Sequence, residues 1–177
     1  MITVRKQQNK TDRLLYVFLF LFLIGSWLGI RLFDQLNGTD LALKHEQSKF
    51  LLSVWRAGRF HLLVAMASLS ALGILLIPIS VVLRGCVFAS AVMCLQAQGI
   101  GEVLYYCALP AFLQLPTLFG LACVGIRSSA VICDGNVRKS GHKQDTGLWQ
   151  GIIRSAVAIL LCAAVECWIL PKLIHWI

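Results

Sequence analysis

The sequence predicts an all-α, polytopic integral membrane protein with about five transmembrane helices. Its residues are 58% hydrophobic, its mean hydropathy is +0.78, and only 14% are charged, too few to clothe a soluble domain of 177 residues. The apolar residues also come in blocks separated by short polar stretches, the pattern of successive membrane spans.

The formal net charge of +8 raises nucleic-acid binding as an alternative. The Lys and Arg residues cluster beside the apolar blocks, however, without the interleaved aromatics of a nucleic-acid surface. That placement suits flanks governed by the positive-inside bias, so no nucleic-acid partner is expected. Cys86, Cys94, Cys107, Cys123, Cys133, Cys162 and Cys167 form no CxxC pair, and most lie within apolar runs, where Cys packs as a small hydrophobe. No metal site, cofactor or disulfide framework is expected from them.

The first helix is expected over about 14–33. Residues 1–13 are polar and basic, and the uncharged run Leu14–Ile30 follows, about 25 Å long as a helix. No small-x-small cleavage site follows it, so it reads as a retained span rather than a signal peptide. Gly25 and Gly29 make a small-xxx-small pair that admits a neighbouring helix. Residues 34–60 form a polar interval. Within it Leu43, Phe50, Leu51 and Val54 share one helical face, which predicts a short amphipathic helix in the membrane interface.

Two more spans are expected over about 61–83 and 85–101, joined at Arg84 in a tight hairpin, with a kink at Pro78. The second of these carries Gln96 and Gln98, and either spans or forms a shorter buried helix. Gly85 and Ala89 give it a small-residue face. The fourth span, about 103–126, holds Pro110 and Pro116 with Gln114 between them, a pattern for broken or kinked helix. Residues 127–151 read as an inner basic loop and about 152–173 as the last span, with no C-terminal domain beyond it. The whole chain 1–177 is taken as one membrane domain. With the N-terminus inside, ten Lys and Arg lie on the inner face against six outside, which favours N-in, C-out.

No catalytic cluster is legible. His45, His61, His142 and His175 are scattered, and HExxH, GxSxG, P-loop and dinucleotide fingerprints are missing. The polar residues of interest are isolated within apolar runs: Arg31, Arg84, Gln96, Gln98, Gln114 and Glu166. Glu166, well inside the last span, stands at a depth similar to Arg31 and either pairs with it across helices or reaches headgroup water separately. Arg84 either snorkels to the inner surface or holds glutamine side chains within the bundle. The glutamines either bond between helices or line a polar path, packing being the simpler reading.

Two regions, Leu14–Phe33 with the run LYVFLFLFLIGSWLGIRLF and Gly73–Ser128 with LIPISVVLRGCVFASAV and LPAFLQLPTLFGLACVGI, together roughly half of the chain, resemble the stage II sporulation protein M family in order and texture. Many relatives carry a His and a Glu around the Leu-Pro motif, where this chain has Ala111 and Gln114. Any proton- or metal-linked role of those two residues is therefore not carried over.

The resemblance implies a non-enzymatic membrane anchor in endospore-forming bacteria. It would recruit sporulation proteins D and P, two peptidoglycan hydrolases, to thin septal wall during engulfment. Partner contact is then expected on the apolar face Leu43, Phe50, Leu51 and Val54, for which the lipid bilayer competes. A homo-oligomer stays open. The alternative is a small transporter or permease subunit, suggested by the prolines and glutamines but unsupported by any visible inverted repeat.

Overall fold

The computed structural model describes residues 2–35, 50–96, 107, 109–133 and 137–169, and among these it is helical almost throughout, with no strand. Five α-helices follow in order: α1 Ile2–Gln35, α2 Phe50–Ser68, α3 Gly73–Gln96, α4 Leu109–Cys133 and α5 Val137–Ala164. A π-helical turn, Val165–Ile169, extends α5. Four segments are long and apolar enough to cross a membrane: Asp12–Asp34, Gly73–Gln96, Pro110–Cys133 and Gly147–Ala164. The bundle is that of a multi-pass membrane protein.

The helix boundaries depart from the sequence reading at one decisive point. The chain reverses at Leu69–Leu72, not at Arg84, so the expected spans 61–83 and 85–101 are replaced by the α2–α3 hairpin. Arg84 stands eleven residues into a helix of 24, about 17 Å from its start. The turn is made by local polar bonding: the Ser70 hydroxyl and amide both donate to the carbonyl of Ala67 at 3.1 Å, and the Gly73 amide donates to Ser70 at 3.1 Å. Hydropathy alone misses this, because Ser70 and Gly73 are uncharged whereas Arg84 is a full charge.

Two further expectations change. Residues 50–60 are not a separate interfacial helix but the first half of α2, which continues unbroken to Ser68 and buries Ala57 and Phe60 in the bundle. The 127–151 stretch is not a loop: Arg127–Cys133 completes α4 and 137–151 begins α5. A polar sequence keeps its helical hydrogen bonds when it leaves the hydrocarbon, so the helices outrun the hydropathy windows. Pro110 occupies the first turn of α4, where its missing amide costs nothing, while α3 and α4 run on through Pro78 and Pro116. Leu43 and Gln98 lie outside the described residues, as do the side chains of Phe50, Leu51 and Glu166.

Contacts fix the helix directions. Gly25 faces Val82 and Gly29 faces Cys86, so α1 and α3 run parallel. Gly73 meets Ser129 and Ile77 meets Gly125, so α4 runs antiparallel to α3; Gly151 meets Leu121, and α5 reverses again. The bundle alternates up and down, with α1, α3 and α5 pointing one way. At its centre Phe18, Phe22, Phe60, Val64, Ile77, Val81, Leu118 and Leu121 form one continuous core. Phe22 joins Phe88 and Phe119, ring centroids 5.8 and 5.9 Å away. Lipid is as apolar as these side chains, so dispersion and fit, rather than escape from water, hold the core together.

Candidate functional site

The α1–α3 seam is built by residues whose value is that they have almost no side chain. A β-carbon on Gly25 would land on the carbonyl of Val82, one on Gly29 on the carbonyl of Cys86, and one on Gly85 on the carbonyl of Phe22. Ala89, also buried, continues the row one turn on. Backbone meets backbone over two turns, and two hydroxyls bridge the seam: Ser26 donates to the Gly85 carbonyl and Ser90 to the Gly29 carbonyl, each at 3.4 Å. Three of the four small residues singled out in the sequence, Gly25, Gly29 and Gly85, therefore meet at one seam.

The polar residues of the interior gather on the other side of α3. Arg84 donates to Oε1 of Gln114 at 2.6 Å, and Nε2 of Gln114 donates to the Cys162 sulfur at 3.0 Å, so one chain of bonds crosses α3, α4 and α5. One turn further along α4, the Thr117 hydroxyl, which donates to the Gln114 carbonyl at 2.9 Å, lies 3.2 Å from Nε2 of His61, whose Nδ1 lies 3.3 Å from the Ala57 carbonyl. Phe60 receives two guanidinium groups, Arg84 at 5.3 Å and Arg59 at 5.2 Å from its ring centroid. His61 and Gln114 are both buried. An arginine near the middle of a span costs about 2.5–3.5 kcal/mol even on insertion scales, so these partners offset a large penalty.

Sequence reasoning singled out Arg84 and Gln114 but did not bring Cys162 to Gln114 or His61 to Thr117. Thr and Cys are common in apolar helices and His61 borders the polar interval, so only the pairing of α2, α4 and α5 brings the three to one level. Two of the other polar residues stand apart. Gln96 is exposed at the end of α3, and Arg31 is exposed on α1 with its guanidinium 5.5 Å from the Trp27 ring centroid. Among the described residues no three His, Cys, Asp or Glu side chains gather as a metal site.

A third feature lies between α2 and α5. An apolar groove of about 820 Å³ runs from Val54 and Trp55 at one end to Ala65 and Ile152 at the other, with Gly58, His61 and Ser155 along it. Val54 is thus the one residue of the expected partner face whose described side chain borders a cavity. Compared with known proteins, the chain matches no family model, no curated protein and no solved structure.

Proposed function

We propose that this chain is a non-enzymatic membrane scaffold that gathers peptidoglycan hydrolases, of the kind represented by sporulation proteins D and P, at a septal membrane for wall remodelling during engulfment. The observation that carries the reading is how the interior polar groups are used. Arg84, Gln114 and Cys162 bind one another, and His61 binds Thr117 and its own helix, so the polar side chains tie α2, α3, α4 and α5 into one body. A rigid, lipid-clad bundle suits an anchor. The sequence resemblance supplies the class of partner.

On this reading the N-terminus lies in the cytoplasm of a bacterial cell. The end of the bundle where α1 starts also holds the α4–α5 junction, so Arg5, Lys6, Lys10, Arg13, Arg127, Arg138, Lys139 and Lys143 share it. Among the described residues the opposite end has Arg31, Arg56 and Arg59. Removing Arg84 from the inner count leaves the bias intact.

A permease subunit is the second reading, favoured by one observation: a cation and a glutamine meet deep in the bundle. A mild-detergent pull-down from the native host during septum formation separates the two. Recovery of hydrolases with lytic activity on isolated wall supports the scaffold. Recovery of an ATPase or a second permease subunit without hydrolases overturns it, as does substrate-dependent uptake by the purified chain in proteoliposomes.

A further inference from the structure

The last helix carries a charge at mid-span on its outward face. Arg154 is exposed, and no hydrogen bond, ion pair or ring contact engages its guanidinium among the described residues. Its depth follows from the glycine contacts. Gly151 meets Leu121 across the antiparallel α4–α5 pair, so Arg154, one turn on, stands level with Leu118. Ile77 meets Gly125 across α3 and α4, which brings Arg84 to that same level. Leu118 in turn lies about 14 Å along α4 from Arg127 and about 12 Å from Pro110, in the middle of the hydrocarbon. A last span starting at 152 would leave Arg154 at its edge. The helix instead begins at Val137, and Arg154 falls near the centre of the apolar segment Gly147–Ala164.

Two arginines at one depth are thus met differently. Arg84 is engaged by Gln114 and Phe60 within the bundle, whereas Arg154 faces outward. We infer that Arg154 is the docking point for the membrane-spanning helix of a partner protein, one that carries a carboxylate at mid-span. The charge defines the partner's chemistry, because a lipid-facing cation at this depth is costly until an opposite charge meets it. Anionic headgroups lie about 15 Å away, at the surface of a core about 30 Å thick. The extended arginine side chain reaches about 6–7 Å, less than half of that distance. A second copy of this chain brings no carboxylate to this level. The acidic residues of the four spanning segments, Asp12 and Asp34, stand at the two ends of α1, and Glu166 lies about 18 Å beyond Arg154. The surface is shaped for a helix: Gln150, Ile153, Val157 and Leu161 line up with Arg154 at three- and four-residue spacing, all exposed, over about three turns. The scaffold reading supplies the kind of protein that brings this helix, but the charge match is tested without it.

The experiment uses the full chain in phospholipid nanodiscs with a benzophenone amino acid at Val157, one turn from Arg154. The probes are synthetic Leu/Ala spanning peptides of about 20 residues, alike except for a central Asp, Asn, Leu or Lys, and crosslinking is expressed per inserted peptide. The Asp peptide is expected to crosslink roughly tenfold more than the Leu peptide, and severalfold more than the Asn peptide, which can bond but carries no charge. Arg154→Leu should bring the Asp peptide down to the level of the Leu peptide. Arg154→Glu should transfer the preference to the Lys peptide, an outcome that loss of folding cannot produce. Because Arg154 is exposed, both variants should melt in detergent as the parent does.

Equal crosslinking of the Asp peptide and either the Leu or the Asn peptide overturns the inference, as does an Asp preference that survives Arg154→Leu. So do adducts confined to lipid or to a second copy of this chain. Absence of the Asp preference with hydrolases still recovered by pull-down removes the docking point and leaves the scaffold reading standing. Capture of the Asp peptide through Arg154 without hydrolase recovery removes that reading and keeps the docking point.

Discussion

Arg84 on α3 and Gln114 on α4, thirty positions apart in the chain, are joined by a 2.6 Å hydrogen bond in the interior of the bundle. The amide is used at both ends, accepting from the guanidinium and donating to Cys162 on α5. A carboxylate in its place would still accept from Arg84 but would lose the second bond.

Two substitutions at this amide should therefore separate. Gln114→Leu removes both bonds and is expected to lower stability by about 1–2 kcal/mol. Gln114→Glu exchanges one neutral bond for a charged one and should stay within about 1 kcal/mol of the parent. Thermal melting in mild detergent at neutral pH reads the difference, and equal losses would show that Arg84 does not depend on the acceptor.

The α1–α3 seam should be intolerant of bulk. Gly25→Leu or Gly85→Leu is expected to cost about 1–3 kcal/mol, toward the upper end because the obstacle is a backbone carbonyl that no rotamer change removes. Gly120→Ala, whose β-carbon meets open space, serves as the control and should be near neutral. A cysteine pair engineered at Ser26 and Ala89 would report seam opening by loss of crosslinking.

Thr117→Val keeps the shape of the side chain and deletes the hydroxyl that meets His61. The expected loss is about 0.5–1 kcal/mol. A double-mutant cycle with His61→Phe should give a coupling of similar size, whereas strict additivity would dissolve the α2–α4 link.

Thiol labelling tests burial and orientation together. Cys133 is exposed at the end of α4, whereas Cys123 and Cys162 are buried. Maleimide should modify Cys133 rapidly in the folded protein and the other two only after denaturation. With the N-terminus in the cytoplasm, a membrane-impermeant maleimide should reach Cys133 in inverted vesicles and not in intact cells; the reverse result inverts the topology.

Much of this architecture is visible in the residues, though unevenly. The membrane class follows from block hydropathy, and the spacing of Gly25 and Gly29 announces a close helix contact before any partner is known. The α2–α3 reversal escapes the same reasoning. Across Leu62–Gly101 the strongest interruption is Arg84, and a hydropathy argument breaks the segment there. The real break is made by two serine–carbonyl bonds and a glycine approaching Ser129, all invisible to a transfer scale. Arg84 stays within its helix because Gln114 and Phe60, contributed by other helices, meet its charge. Its neighbours His61, Thr117 and Cys162 carry no sequence pattern of their own, since their meeting depends on the pairing of α2, α4 and α5.

The parallel run of α1 and α3 has a consequence for how the molecule is made. The two seam bonds join residues 59 and 61 positions apart, and parallel neighbours require an intervening strand of chain to return across the bundle first. At ordinary synthesis rates of about 5–20 residues per second, α1 waits roughly 3–12 s before its partner has left the ribosome. During that interval it must persist as a solitary span, its glycine groove open to lipid. The bulky outward side chains Tyr16, Phe20, Leu23 and Trp27 equip it to do so. Newborn chains truncated before Gly85 should thus be inserted but unassembled, the form in which membrane quality-control proteases and insertion chaperones would meet this protein.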